Sequence, residues 1–521
     1  MSTDKPREYW GSKIGLILAV AGNAVGLGNF LRFPVQAVEN GGGAFMIPYF
    51  FFFLVVGIPL MWMEWGIGRY GGKYGHGSAP GMFDVIWKSK FAKYFGTLGL
   101  LISTIILIYY TYIESWTLGY SFLTLTKDYF GAGSFETMGT YLRNYQGIGD
   151  LGFSTSNFGL TYFFFVLTFA LNFWVLYRGI SQGIEKLAKI AMPLLIIFAI
   201  ILAIRVLTLG TPNPAYPDRN VTSGLAFFWN PDFSSLAKPS VWLAAAGQIF
   251  FTLSLGMGSI QAYASYLKPK DDIALSGLTT ASTNEFAEVV LGGSIAIPAA
   301  VAFFGVTMAT QIANSGAFNL GFVSMPLIFE QIPFGNFFGF LWFFLLFFAG
   351  ITSSVAMSQP VIAFLEDELG FSRKKAVTLV GVIVLVATHL VVFFLKYGVL
   401  DEMDYWAGTF GLVVFALIES ILFMWVFGGE KAWEEMNMGG DIKIPRFFYY
   451  IMRYITPLVL LVLMLWWFVY DALPILIMEN IPTENIPYIW GSRILMLSIG
   501  AVFFFIVHIA WKKRKTKGIN L

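Results

Sequence analysis

Long apolar runs constrain this chain more than any other feature. A helix crossing the hydrocarbon of a bilayer needs roughly 20 mostly apolar residues. Runs of that kind recur about twelve times, centred near residues 24, 55, 107, 170, 198, 254, 292, 350, 385, 415, 460 and 500. The chain is 57% hydrophobic and 12% charged, about half the charge of a soluble domain. In lipid every backbone N–H and C=O must find a partner within the protein, which a helix provides by itself. The expected fold is therefore an all-α integral membrane protein with twelve transmembrane helices.

Charge gives the orientation. The N-terminal "MSTDKPREYWGSK" is polar and no small-residue cleavage site follows a short apolar core, so the first run reads as its own insertion signal. Net charge is +2, but "KSKFAK", "RGISQGIEKLAK", "SRKKA" and "KKRKTK" all fall on one set of alternate connections. The long connection around 125–160, on the other set, carries only Lys127 and Arg143. The positive-inside rule then places both termini in the cytoplasm. "KKRKTK" is most simply a topology signal, so no nucleic-acid partner is expected. The absence of cysteine excludes disulfides and thiolate metal sites. "GISQG" at 179–183 has the form G-x-S-x-G, but it lies in a short polar turn, and His76, His389 and His508 are on other segments. A nucleophile elbow needs a strand, a turn and a helix with a histidine partner, so an enzyme is not expected. Nor is there a Walker loop or an H-E-x-x-H zinc motif.

Two of the runs are interrupted. "GNAVGLGNFLRFP" (22–34) breaks the first, leaving "IGLILAVA" on one side, about 12 Å of helix. One such stretch would suit a glycine-lined packing face. A second break, in "FFTLSLGMGSIQAYASY" (250–266), opens the sixth run, five spans later. Glycine-interrupted spans at corresponding places in two halves point to inverted repeats with a binding site at the breaks. Unwound backbone frees carbonyls, which suit a cation, and amides at a new helix N-terminus, which suit an anion. Small cations and a carboxylate together fit such a site.

At these residues the sequence becomes familiar. "GNAVGLGNFLRFPVQAVENGGGAF", "IYYTYIESW", "GQIFFTLSLGMG", "FFAGITSSVA" and "DEMDYWAGT" resemble the neurotransmitter:sodium symporter family from about Arg7 to about residue 470. The resemblance implies a 5+5 inverted repeat with broken first and sixth helices and two further helices. The expected divisions are a cytoplasmic gate segment 1–11, a first repeat 12–208, an extracellular connection 209–240, a second repeat 241–428, a cytoplasmic loop 429–445, two helices in 446–512 and a basic tail 513–521. It also implies sodium-driven uptake of an amino acid by alternating access in a prokaryotic plasma (inner) membrane. The oligomeric state stays open, a homodimer included.

Residue by residue, the resemblance implies two Na+ sites. The first takes the Ala24 carbonyl, the Asn29 and Asn284 side chains, and the Thr252 carbonyl and hydroxyl. These are neutral oxygens, whereas calcium or magnesium would want carboxylates. Interhelical hydrogen bonding would also explain the two asparagines. The second takes the Gly22, Val25 and Ala349 carbonyls and the Thr352 and Ser353 hydroxyls. Ala349, Thr352 and Ser353 share a helix face, although hydroxyls bonding back to the preceding turn would explain Thr352 and Ser353 equally well. The substrate carboxylate would meet the Leu27 and Gly28 amides and the Tyr110 hydroxyl. Its ammonium would meet the Ala24, Phe251 and Thr252 carbonyls and the Ser254 hydroxyl. Monoamine-transporting members carry aspartate where this chain has Gly26, which favours amino acids here. Ile106, Tyr110, Phe251, Met257, Ser353 and Met357 would line an uncharged side-chain pocket. The family member most resembled has Val, Phe and Ile where Ile106, Met257 and Met357 stand. Flexible Met257 could admit aromatic substrates, while Ile106 works the other way.

Glu288 stands where chloride-dependent members carry serine, which implies chloride independence, and its protonation on the return step would give proton antiport. Glu64, Glu114 and Glu419 are further intramembrane acids and so functional suspects, with Glu64 also placed to tie down the broken sixth span. Arg32 and Asp404 match an outer gate, with Tyr110 and Phe251 as its lid. Arg7 and Asp367 match an inner gate, supported by Trp10, Ser265 and Tyr266, although flanking charge alone would explain the inner pair. A sodium-dependent amino-acid sensor or an uncoupled facilitator on the same fold remains the alternative.

Overall fold

The computed structural model describes residues 8–149, 152–154, 158–479 and 481–516. Among the described residues, ten helices are long and apolar enough to cross a bilayer. They are Gly43–Lys73, Ala92–Thr126, Phe158–Tyr177, Ile180–Leu207, Ile273–Phe304, Gly335–Asp367, Arg373–Tyr397, Val399–Val426, Phe447–Leu476 and Ile486–Lys515. Two broken spans bring the set to twelve. In the first, Lys13–Ala24 and Leu27–Glu39 meet at 45°. In the sixth, Pro239–Thr252 and Ser259–Ala264 are separated by unwound residues 253–258.

The breaks follow from local chemistry. Val25 leaves the helix at φ −74°, ψ 90°, and the Gly26 amide donates to Asn29 Oδ1 (2.8 Å), which caps the new helix. In the sixth span Ser254, Gly256 and Gly258 have φ of 54°, 70° and 77°, a left-handed run that no α-helix continues through. Gly256 has no alternative, since a Cβ there would lie 2.3 Å from the Leu412 carbonyl oxygen of the tenth span. Its amide donates to Glu64 Oε1 of the second span (2.7 Å). A freed amide at bilayer depth costs free energy unless paired, and Glu64 supplies the partner.

The third and eighth spans pack along their lengths, and the inner half of the first is held by the fifth, seventh and eighth. Gly350 makes the close approach possible, because a Cβ there would sit 2.7 Å from Glu114 Cγ. Glu114 Oε1 accepts from Asn172 Nδ2 (2.8 Å), and Glu419 accepts from Gln261, so both acids have partners within the bundle. The "GISQG" turn lies at the π-helical start of the fifth span, Ile180–Glu185. The Ile180 amide donates to Glu8 (2.8 Å), while Glu185 accepts from the Gly11 amide (2.7 Å) and Ser12 Oγ (2.8 Å). The turn thus docks the N-terminal segment, and His76, His389 and His508 pair instead with Glu368, Tyr162 and Tyr94.

Candidate substrate and sodium site

The two breaks meet and are stitched together at mid-bundle. Ser254 Oγ donates to the Asn23 carbonyl (2.8 Å), and Asn23 Nδ2 donates to Ser259 Oγ (3.0 Å). Around this junction Ala24, Gly26, Gly28, Ile106, Tyr110, Phe251, Ser254, Met257, Ser353 and Met357 line one cavity, joined by Asn23 and Asn29. Every expected wall residue of the side-chain pocket is in it, and no charged side chain is. Its volume is 20 Å³, little more than one water occupies. A ligand the size of an amino acid therefore needs this cavity to widen.

One end of the cavity can receive an anion. The Leu27 amide, at the start of the second half-helix, donates to the Tyr110 hydroxyl at 3.4 Å, a long bond readily exchanged for a carboxylate. Gly26 keeps this end open, since a Cβ there would stand 3.2 Å from Ser353 Oγ and 3.3 Å from the Tyr110 hydroxyl. Gly28 lets Phe251 close down, its Cβ position being 2.6 Å from the ring. Ser254 Oγ uses its proton on Asn23 and keeps lone pairs for an ammonium group.

The expected first sodium ligands converge. The Asn284 amide terminus lies 3.2 Å from both the Ala24 and Thr252 carbonyl oxygens. With its oxygen inward, three acceptors face one another, which suits a small monovalent cation. With its nitrogen inward, it bonds both carbonyls. Asn29 Nδ2 meanwhile donates to Thr252 Oγ1 (3.1 Å) and Asn284 Oδ1 (2.8 Å), so the interhelical hydrogen bonds are present as well. Glu288, fully buried on the π-helical turn Phe286–Leu291, takes bonds from Thr252 Oγ1 and Gln248 Nε2. Asn29 and Asn284 Nδ2 each lie 3.4 Å from it. Thr252 and Gln248 thus donate to one buried carboxylate, with two asparagine amides beside it.

At the expected second site, Ser353 Oγ lies 3.0 Å from the Ala349 carbonyl, 3.3 Å from that of Gly22 and 3.2 Å from that of Asn23. One hydroxyl proton cannot serve three acceptors, so this cluster too is rich in unneutralised oxygen. Thr352 Oγ1 bonds back to the Phe348 carbonyl (2.8 Å), and Gly22 and Thr352 touch closely enough that a Cβ on Gly22 would lie 3.0 Å from Thr352 Cβ. Val25 is fully buried at the break.

The residues expected to form the outer gate do not meet directly. Among the described residues no ion pair joins Arg32 to Asp404. Arg32 stacks over the Phe251 ring, 4.8 Å from its centroid, and Asp404 accepts from the Tyr109 hydroxyl (2.5 Å). Arg7 lies outside the described residues. Of its expected company, Asp367 ends the eighth span, Trp10 Nε1 donates to the Tyr263 carbonyl (3.0 Å), Ser265 Oγ donates to the Ala262 carbonyl (2.7 Å) and Tyr266 accepts from Gln359 (2.7 Å). Sequence reasoning missed Asn23, Gln248 and Tyr109. Gln248 had a signal, standing four residues before Thr252 and so on the same helix face.

A sequence model described as the Sodium:neurotransmitter symporter family matches residues 7–132 and 134–511. An uncharacterised sodium-dependent transporter of Methanocaldococcus jannaschii is 32% identical over 518 residues, 98% of each chain. The sodium-dependent transporter YhdH of Bacillus subtilis is 30% identical over 483 residues, 89% of this chain and 98% of its own. Among solved structures, MhsT in complex with L-phenylalanine aligns with a TM-score of 0.75 at 32% identity, covering 88% of this chain and 99% of MhsT. The chain belongs to the sodium:neurotransmitter symporter family, as a sodium-dependent membrane transporter and not an enzyme.

Proposed function

We propose that this transporter imports a neutral, hydrophobic L-amino acid, aliphatic or aromatic, together with sodium held at two sites, by alternating access and without chloride. The observation that carries the reading is the cavity at the meeting of the two breaks. It has an amide and a phenol at one end, uncharged walls, and no side chain at Gly26. A zwitterion brings its own carboxylate to that end, and an apolar side chain meets Ile106, Met257 and Met357. MhsT, at 32% identity, was crystallised with L-phenylalanine, which favours a pocket that accepts rings. Glu288 in its donor cage supports chloride independence. The charge asymmetry supports cytoplasmic termini, prokaryotic relatives favour a prokaryotic plasma membrane, and the break positions support the division into repeats at 12–208 and 241–428.

Binding of a panel of labelled neutral amino acids to the purified protein, in sodium and then in potassium, tests the reading. Binding is expected only in sodium. Asn29→Ala and Thr252→Ala, which remove first-site oxygens, each weaken it about tenfold or more, the value of a hydrogen bond or ligand to a charged group. Equal binding in potassium would sink both sodium sites. Vesicles then separate symport from the sensor and the facilitator, since only a symporter concentrates the amino acid against its gradient when sodium is high outside.

A further inference from the structure

We infer that the chain carries a binding site for one anionic phospholipid, its headgroup on a basic rim and an acyl chain in a groove between the third, tenth and twelfth spans. The rim comes from two segments far apart in sequence. Lys88 and Lys90 precede the third span, Lys512, Lys513 and Lys515 end the twelfth, and buried Lys93, in the first turn of the third span, donates to the Lys90 carbonyl (2.7 Å). They are brought together because Lys93 Nζ sits 5.8 Å from the Trp511 ring centroid. Two acids lie nearby, and the lysines outnumber them. Asp84 accepts from Trp511 Nε1 (2.7 Å), and Glu368 holds Arg514 (2.6 Å) and His76 (2.6 Å). Phe91 and Phe95 stand exposed at the same rim, where interfacial aromatics belong. A cluster of 4–8 lysines beside a membrane span attracts anionic lipid, at about 1 kcal/mol for each charge near the surface.

The groove begins directly above this rim. Tyr94, next to Lys93, stacks on Phe504 with ring centroids 4.4 Å apart, and Phe504 is the last groove residue of the twelfth span. From there a channel of 860 Å³ runs up to Trp490, walled by Leu101, Ile105, Phe410, Leu497 and Gly500. Fourteen residues of helix make it about 21 Å long, more than the roughly 15 Å of one leaflet, so an acyl chain lies along it. Its one charged lining side chain, Arg493, is fully engaged by Glu402 (2.5 Å) and the Ile475 and Leu476 carbonyls (2.6 and 2.8 Å). The interior thus offers nothing to a polar ligand, and the charge is all at the rim. A fixed apolar slot ending on a lysine cluster matches a lipid with a negative headgroup better than a neutral one.

The test uses the full chain in nanodiscs of mixed phosphatidylcholine and phosphatidylglycerol, followed by native mass spectrometry and by crosslinking from a diazirine on the phosphatidylglycerol acyl chain. The expected result is one retained phosphatidylglycerol and crosslinks concentrated at Leu101, Leu497 and Phe504. The quadruple variant Lys88→Gln, Lys90→Gln, Lys512→Gln, Lys515→Gln, all at exposed positions, should hold phosphatidylglycerol at least about tenfold more weakly. Ala501→Phe, at an exposed groove position, should remove the crosslinks while leaving sodium-dependent amino-acid binding intact, which shows the protein is folded. Equal retention of phosphatidylcholine, crosslinks spread evenly over the lipid-facing helices, or occupation of the groove by a second copy of the chain would each overturn the inference.

Discussion

Gly26 and Glu288 each occupy a place where another side chain would change what is bound. Gly26→Asp directs a carboxylate between Ser353 Oγ and the Tyr110 hydroxyl, beside the Leu27 amide proposed for the substrate's own carboxylate. Two like charges there are strongly unfavourable, so amino-acid binding should be lost, and a panel extended to decarboxylated amines reads any gain. Glu288→Ser removes the built-in anion but keeps the Gln248, Thr252 and asparagine donors around it. Uptake by the native protein should be equal in chloride and gluconate, whereas the variant should work only in chloride. A native protein that needs chloride would refute the reading of the cage. At this scale the sequence showed which oxygens could gather, because Asn29, Thr252, Asn284, Thr352 and Ser353 are polar residues in apolar helices. It hid Asn23 and Tyr109, whose importance comes from partners on distant helices, Ser254 and Asp404.

The elements that matter most are the two interruptions, and their stability depends on outside support. Glu64→Ala leaves the buried Gly256 amide without its acceptor, at about 1–3 kcal/mol. Glu64→Gln keeps an oxygen for it and should cost less. Thermal unfolding with and without sodium compares the two, and equal melting temperatures would show that Glu64 does not hold the break. Gly256→Ala adds a methyl 2.3 Å from the Leu412 carbonyl oxygen at a φ of 70°. Left-handed strain alone costs about 1–2 kcal/mol, so a lower melting temperature and lost substrate binding are expected. Both breaks were legible because glycine and polar residues interrupt an apolar run that ought to be continuous. The π-helical turns carrying Glu288 and Asp404 were not, since one extra residue in a helix leaves its hydrophobic pattern almost unchanged.

Across the whole molecule, the proposed sodium sites, built from segments of the first, sixth, seventh and eighth spans, should hold those spans together. Sodium at a hundred times its dissociation constant adds about 2.7 kcal/mol of stability, so the melting temperature should rise in sodium and stay put in potassium at equal ionic strength. The number of spans and their pairing into repeats could be read from apolar runs and the two breaks, but how far each gate is closed could not, because that depends on a few ångströms of side-chain placement. Arg32 rests on an aromatic ring and Asp404 on a phenol, rather than on each other. Each charge therefore has somewhere to go when the other is absent, and neither is stranded as the outer path changes state. If the proposed outer gate closes by pairing them, the ion pair replaces a ring contact and a phenol contact rather than rescuing two stranded charges. Such an exchange keeps the two populations within reach of each other, so the modest binding energy of a small solute is enough to tip the balance.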